Sequence, residues 1–282
     1  MTPVSYTLKR MNSEAPSPEK TNLGGVARAF VLARRQGRHL AAYPGPAPGD
    51  LAAAYRIQDE ALQLYGRAVV GWKVGRIPDS EVTRLGANRL AGPILAGTVI
   101  FNEPGIEAAM PAFAGGFIAV ESEFMLRLRV PPHGTAPPDD ASAKDWIDDV
   151  RIGVELASSP YPGINDDGAC VTISDFGNNA GVLLGPSIAD WRNRDLGQIA
   201  VTTEIDGVEV GRATASTMLD GPYGAVRFLI EHLRSRGIAP QSGWWISSGA
   251  VTGVHAARIG DRAAANFEGV GSLSCRIIPT RG

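Results

Sequence analysis

The chain has 282 residues, with 27 Lys+Arg against 29 Asp+Glu and a net charge of −2. The basic residues are scattered, the densest cluster being Arg34, Arg35 and Arg38, which excludes the basic stripe of a nucleic-acid binder; no apolar run approaches the ~20 residues that cross a bilayer. The 34 glycines and 20 prolines follow no period, which excludes collagen-like repeats and favours a loop-rich, strand-rich fold.

Residues 1–22 are polar and read as a flexible tail without the apolar core of a signal peptide, so a cytoplasmic protein is expected. Cys170 and Cys275 stand far apart in no metal-ligand spacing, as in a reducing compartment. Residues 24–36 predict a helix stopped by Gly37. After a break at Pro44, Pro46 and Pro48, residues 50–65 predict a second, amphipathic helix with Asp50 as its N-cap. Residues 23–66 thus form a small helical N-terminal region, too small to bury a core alone, that must pack on the rest of the chain.

From residue 67 the texture turns to strands, predicted over 67–75, 93–101, 118–130 and 151–158. A Pro-rich loop at 131–141 and a short helix at 142–150 separate the last two. Asp206-Gly207 is a hairpin turn signal between 198–205 and 208–216. Residues 221–236 predict an amphipathic helix with Val226, Leu229, Ile230 and Leu233 on one face and Gly237 past its end. Strands at 243–248 and 267–278 close the chain. Strands and helices do not alternate as βαβ units, so residues 67–282 are expected to form one β-rich α+β domain.

Two acids stand out in the longest strand. Glu121 and Glu123 are two apart and project to one face, while Val120, Ser122, Phe124, Leu126 and Leu128 form a core-like opposite face. Paired carboxylates in an apolar strand repel unless protonated, solvated or bridged by a cation; a solvent-facing strand gives the same spacing. Glu155 sits in a similar strand, flanked on its face by Gly153 and Ala157, whose small size is expected to leave room beside the carboxylate. Three carboxylates on adjacent strands would suit Mg²⁺ or Mn²⁺. His39, His133, His232 and His255 are in no metal-binding spacing, which favours oxygen ligands. Only four of the basic residues are lysines, and Lys73 alone lies in an apolar strand. A desolvated lysine beside a cation is a proton shuttle, whereas a strand-edge lysine would run its stem past Trp72 to water. Gly181 to Gly185 lacks the G-x-G-x-x-G of a dinucleotide site.

Six segments, in order, resemble the fumarylacetoacetate hydrolase superfamily, and within it the 2-keto-4-pentenoate hydratase and 4-oxalocrotonate decarboxylase branch. They are Gly71-Trp72-Lys73-Val74-Gly75, Glu121-Ser122-Glu123, Gly153-Val154-Glu155, the stretch from Ser174 and Asp175 through Asn178, Asn179 and Gly181, the stretch from Ser247 and Ser248 to Thr252 and Gly253, and Gly260-Asp261. The resemblance implies a mixed-sheet roll or barrel. It implies a divalent metal, Mg²⁺ or Mn²⁺, on Glu121, Glu123 and Glu155, with Lys73 moving protons and Ser248 donating to the substrate carboxylate. Arg89, Asp175 and Thr252 become candidate substrate contacts. The implied substrate is a small 2-oxo or 2-hydroxydienoic acid, and the implied assembly is a homo-oligomer. The reaction expected first is hydration of a 2-hydroxy-2,4-dienoate to a 4-hydroxy-2-oxo acid. Decarboxylation of a vinylogous 2-oxo acid, C–C hydrolysis of an acylpyruvate and a non-catalytic binding role are the alternatives. Two stretches depart from the branch, the segment Leu156 to Pro160 after Glu155 and the loop Gly86 to Gly92 after the lysine strand. Where its hydratases commonly carry an acid after the lysine strand, this chain has Asn88 and Arg89, and Arg89 suits the distal carboxylate of a diacid.

Overall fold

The computed structural model describes residues 18–103, 106–132 and 134–281. Most of the expected tail, 1–17, lies outside the described residues, as does His133, and residues 18–22 belong to the first helix. That helix, α1 (Pro18–Gln36), packs on α2 (Leu51–Tyr65), with Val26, Ala27 and Phe30 joining Ile57 and Ala61 in the main core. Helix α2 begins as its sequence predicts: Asp50 accepts from the Ala53 N–H at 2.7 Å, and Gly66 ends it in the left-handed region at φ 70°.

The chain continues through β1 (Val69–Arg76), the short helix α3 (Asp79–Leu85), β2 (Arg89–Leu95), β3 (Val99–Phe101), β4 (Ala108–Ala112) and β5 (Phe117–Leu128). Then come α4 (Asp140–Lys144), β6 (Ile147–Ser159), α5 (Ala169–Ser174), β7 (Asn179–Ser187), β8 (Ala200–Ile205), β9 (Val208–Thr214) and α6 (Gly221–Ser235). Four strands finish it: β10 (Trp245–Ser247), β11 (His255–Ala256), β12 (Arg262–Phe267) and β13 (Gly271–Pro279). One sheet runs β2-β1-β10-β5-β6-β7-β3, with β11 also pairing β5, and the other runs β4-β13-β12-β8-β9. The architecture is a mixed α+β fold around a curled half-barrel sheet, as the resemblance implied.

The two sheets face each other through one side of β5. Val120, Phe124 and Leu126 meet Val201, Ala265 and Phe267, with the Phe124 and Phe267 rings edge to face at 5.4 Å. The first sheet also curls on itself, because β2 at its edge contacts β7 near the other end. Its concave face is therefore enclosed as well, and Ile94, Met125, Val182, Leu184 and Trp245 form a separate apolar cluster there. Burial on both faces explains why β5 is closed to water on the side that carries its acids.

Several expectations are revised. The strand expected over 93–101 is split at 96–98, and its first part starts earlier, at Arg89, inside what reads as a loop. Strand β2 is buried at every position, so it shows no alternation. The helix expected over 142–150 is confined to Asp140–Lys144 by the Asp139 cap, which accepts from the Ser142 N–H at 2.8 Å; Ile147 already belongs to β6. The last strand is a hairpin, β12 and β13. The Asp206-Gly207 hairpin forms as predicted, both residues having positive φ (50° and 77°) as a type I′ turn requires.

Candidate metal centre and active-site cavity

Strand pairing assembles the centre. Antiparallel β5 and β6 place Glu121 directly opposite Glu155, and Glu123 opposite Gly153. On the other side of β5, Ser247 of β10 opposes Met125, and Lys73 of β1 opposes Ser247. Lys73, Ser247, the Glu121/Glu123 pair and Glu155 thus come from four consecutive hydrogen-bonded strands. Each of the three glutamates offers a carboxylate oxygen within 4.8 Å of the others. The Lys73 Nζ lies 3.5 Å from Glu155 Oε1.

The centre is buried, with Glu123 and Glu155 fully enclosed and Glu121 and Lys73 nearly so. Glu123 Oε2 accepts from the Ser247 hydroxyl and, at 2.8 Å, from the Gly249 N–H. Glu155 Oε1 accepts from Asn179 Nδ2 at 2.9 Å. Glu123 Oε1 and Glu155 Oε2 have no protein donor among the described residues. Three carboxylates against one ammonium leave an excess of negative charge, and buried oxygens without donors are costly. Burial, then the neighbouring Glu155 and Glu121, push the Glu123 carboxyl well above its usual range. Burial likewise pushes Glu155 up to about 7, although Lys73 pulls the other way. Burial alone would lower the Lys73 pKa, but Glu155, Glu121 and Glu123 outweigh it and raise it. A hard divalent cation fits this donor set. It needs oxygen ligands, it would satisfy both orphaned oxygens, and it would offset the charge.

Beside the triad lies a cavity of about 590 Å³, whose lining includes Lys73, Arg89, Glu121, Asn178, Ser248 and Thr252. The Ser248 hydroxyl and the Asn178 side-chain oxygen are buried and unpartnered among the described residues. Asn178 reaches the cavity from a left-handed turn, Phe176 to Asn178, with φ of 57°, 63° and 58°; its Nδ2 donates to Asn165 Oδ1 at 2.8 Å. That turn sits against β2 at a glycine pair. A Cβ on Gly92 would lie 2.2 Å from the Phe176 carbonyl oxygen, and one on Gly177 would lie 3.3 Å from Lys73 Cδ. Gly92→Ala is therefore expected to displace the turn and cost about 3 kcal/mol. A denaturation midpoint equal to that of the parent protein would contradict this packing.

The structure gathers most of the sequence candidates and sets one apart. Glu121, Glu123, Glu155 and Lys73 converge, and Ser248, Thr252 and Arg89 line the cavity beside them. Arg89 lies opposite Arg76 in the β1–β2 pair, and its Nη2 donates to Asp220 Oδ1 at 2.7 Å. Thr252 Oγ1 stands in a chain of hydroxyls, 2.7 Å from Thr203 Oγ1 and 3.0 Å from His255 Nε2. Asp175 is not among the lining residues. It forms a buried pair with Arg34, accepting from Nε at 2.6 Å and Nη2 at 2.9 Å, and it accepts from the Ser159 hydroxyl at 2.6 Å. The room expected beside Gly153 is filled, because a Cβ there would meet Met125 Cγ at 2.4 Å. Ser247, Asn178 and Asn179 carry no separate role in the sequence. All three lie in segments that carry the family resemblance, and Asn178 and Asn179 are consecutive amides leading into the apolar run Gly181 to Gly185.

A half-barrel thus encloses three carboxylates that could hold a metal ion, with a lysine and a cavity beside them. No protein-family model matches the chain. It is 32% identical to 2-oxo-hept-4-ene-1,7-dioate hydratase of Escherichia coli over 235 residues, which cover 80% of this chain and 86% of the relative. It is 22% identical over 273 residues to 2-keto-4-pentenoate hydratase of Burkholderia vietnamiensis (90% of this chain, 97% of the relative). Among solved structures it is similar to 4-oxalocrotonate decarboxylase of Pseudomonas putida G7, seen with calcium and acetate and with magnesium and adipate. Both superpose with a TM-score of 0.75 at 20% identity, covering 92% of this chain and 98% of that one. The chain belongs to the fumarylacetoacetate hydrolase superfamily, in the branch of 2-keto-4-pentenoate hydratases and 4-oxalocrotonate decarboxylases. It is an enzyme of that branch.

Proposed function

We propose that the protein is a Mg²⁺- or Mn²⁺-dependent hydratase that converts a 2-hydroxy-2,4-dienoate to a 4-hydroxy-2-oxo acid. The observation that carries this reading is the buried triad of Glu121, Glu123 and Glu155, with two oxygens lacking donors and Lys73 held against it. Glu121, Glu123 and Glu155 would hold the cation. When bound, it supplies the positive charge that anchors the substrate carboxylate and C2 oxygen and offsets the charge developing at C2. Lys73, kept protonated by the carboxylates, would donate a proton to C5 as the dienol ketonises and then take up the proton released by the C2 hydroxyl, returning to its charged form. The Ser248 hydroxyl donates to the substrate carboxylate, and the Asn178 oxygen accepts from a substrate hydroxyl or from the water that adds at C4. Thr252 borders the same space. Assembly as a homo-oligomer and a cytoplasmic location, both carried over from the family resemblance, complete the proposal.

Decarboxylation of a 4-oxalocrotonate-like acid is the second reading. One feature favours it: among the described residues lining the cavity, Glu121 is the single carboxylate, and it belongs to the triad. Arg89 at the cavity wall favours a diacid in either case. The deciding experiment is an ultraviolet assay with Mg²⁺ or Mn²⁺ on 2-hydroxydienoates and 2-oxo-enoates, as monoacids and diacids, with CO₂ measured in parallel. Loss of absorbance without CO₂ is expected; stoichiometric CO₂ would assign the decarboxylase, and inert substrates throughout would reject both. Arg89→Gln is expected to raise KM for diacids by about tenfold, the loss of one charge-assisted contact, and to leave monoacids unchanged. Equal effects on both would remove Arg89 from substrate recognition.

A further inference from the structure

A second cavity, of about 520 Å³, shares no lining residue with the first. Helix α1 contributes Arg34 and Arg35 to its wall, the last residue of α2 contributes Tyr65, the segment after it Arg67, and the segment after β13 Arg281. Among the described residues, four guanidinium side chains line it and no carboxylate does. Arg34 is already neutralised by Asp175. Arg35, Arg67 and Arg281 form no ion pair among the described residues. Arg35 is held at the rim by the carbonyl oxygens of Leu64 and Tyr65, to which its Nη2 donates at 2.7 and 3.2 Å. Arg35 and Arg67 both lie over the Tyr65 ring, at 5.7 and 5.2 Å from its centroid. Two like charges are thus gathered on one aromatic ring, with a third nearby, at the mouth of a space whose walls include Met110, Phe113, Leu156 and Ile278. Guanidinium groups in this setting match a carboxylate, and the apolar wall matches a hydrocarbon body.

We propose that this cavity is a binding site for an amphipathic organic carboxylate, with its head on Arg35, Arg67 and Arg281 and its body against Met110, Leu156 and Ile278. The proposal is independent of the reaction assigned above, since it needs neither metal nor turnover.

The test is calorimetric titration of the full chain in EDTA with 2-naphthoate, using uncharged 2-naphthamide as the control. Saturable binding at one site is expected, about tenfold tighter for the acid than for the amide, as befits a charge-assisted contact. Replacing Arg67→Gln and Arg281→Gln together is expected to weaken the acid by about tenfold or more and to leave metal-dependent turnover unchanged. Arg89→Gln, in the other cavity, is expected to leave naphthoate affinity unchanged. The proposal is overturned by absence of saturable binding, by equal affinity for acid and amide, or by binding that survives the double substitution and is lost with Arg89→Gln.

Discussion

Glu123→Gln is expected to reduce metal-dependent turnover by about a thousandfold or more, the upper range for loss of one preorganised electrostatic group, without loosening the fold. The amide is isosteric. Its oxygen keeps both acceptor contacts, from the Ser247 hydroxyl and the Gly249 N–H. Its NH₂ takes the position of Oε1, which has no donor among the described residues, in a triad whose carboxylate oxygens lie within 4.8 Å of one another. The substitution replaces a carboxyl that burial and its acidic neighbours already push toward its neutral form, so the metal-free variant should melt at or above the parent temperature. A cation would lose a charged ligand, and its affinity should fall at least in parallel with turnover. Activity restored by millimolar Mg²⁺ to the parent kcat would contradict the ligand role of Glu123. A variant that fails to fold would instead show that its carboxylate is structural.

Lys73→Ala is expected to stop exchange of the C3 and C5 protons of a bound 2-oxo acid with D₂O, while Mn²⁺ still binds. The ammonium sits 3.5 Å from Glu155 Oε1 and lines the substrate cavity, so it touches both the triad and the space where the acid would lie. NMR exchange at the parent rate would leave the lysine as a counter-charge only. The same electrostatics set a pH dependence of opposite sign for stability and for metal affinity. In the metal-free protein the Glu155 carboxyl titrates near 7 rather than near 4.5, chiefly through burial. The unfolded chain releases that proton earlier, so between about pH 4.5 and 7 the folded state holds more protons and stability falls as pH rises. Glu123 is shifted in the same direction. A cation must displace these protons, so its affinity should rise with pH over the upper part of that window, by about tenfold per unit for each proton displaced. Calorimetry with Mn²⁺ at pH 6 and 7 reads this directly, and a flat profile would mean that the triad binds metal fully ionised.

The parts of the site legible in the sequence were those carried by local period. Glu121 and Glu123 share a face because strands alternate, and their apolar neighbours on the other face are the core of the sheet interface. Asp50 and the Asp206-Gly207 turn were legible for the same reason, since a cap and a tight turn are decided within four residues. What local pattern leaves hidden depends on partners distant in the chain, and only the family resemblance implied that the three glutamates and Lys73 meet. That Glu155 faces Glu121 is a matter of β5–β6 register, and that Lys73 reaches them depends on β10, which arrives more than 170 residues later. Strand β2 was illegible because it is buried on both faces, and Asn178 because a positive φ outside glycine leaves no mark in the residue types around it. Asp175 looked chemical because it sits in a motif, yet its carboxylate is engaged by Arg34, 141 residues away.

The centre and the cavity wall are supplied by different kinds of backbone. Glu121, Glu123, Glu155 and Lys73 project from strands hydrogen-bonded on both sides, where a shift of one residue would turn each of them to the opposite face. Ser248, Thr252 and Asn178 come from a loop and a turn, and Arg89 from the first position of a strand. On the proposed function, transplanting residues 248–254 and 176–178 between such enzymes would therefore exchange what the pocket accepts while leaving the glutamates and Lys73 in register. A chimaera made in this way separates choice of substrate from the machinery that acts on it.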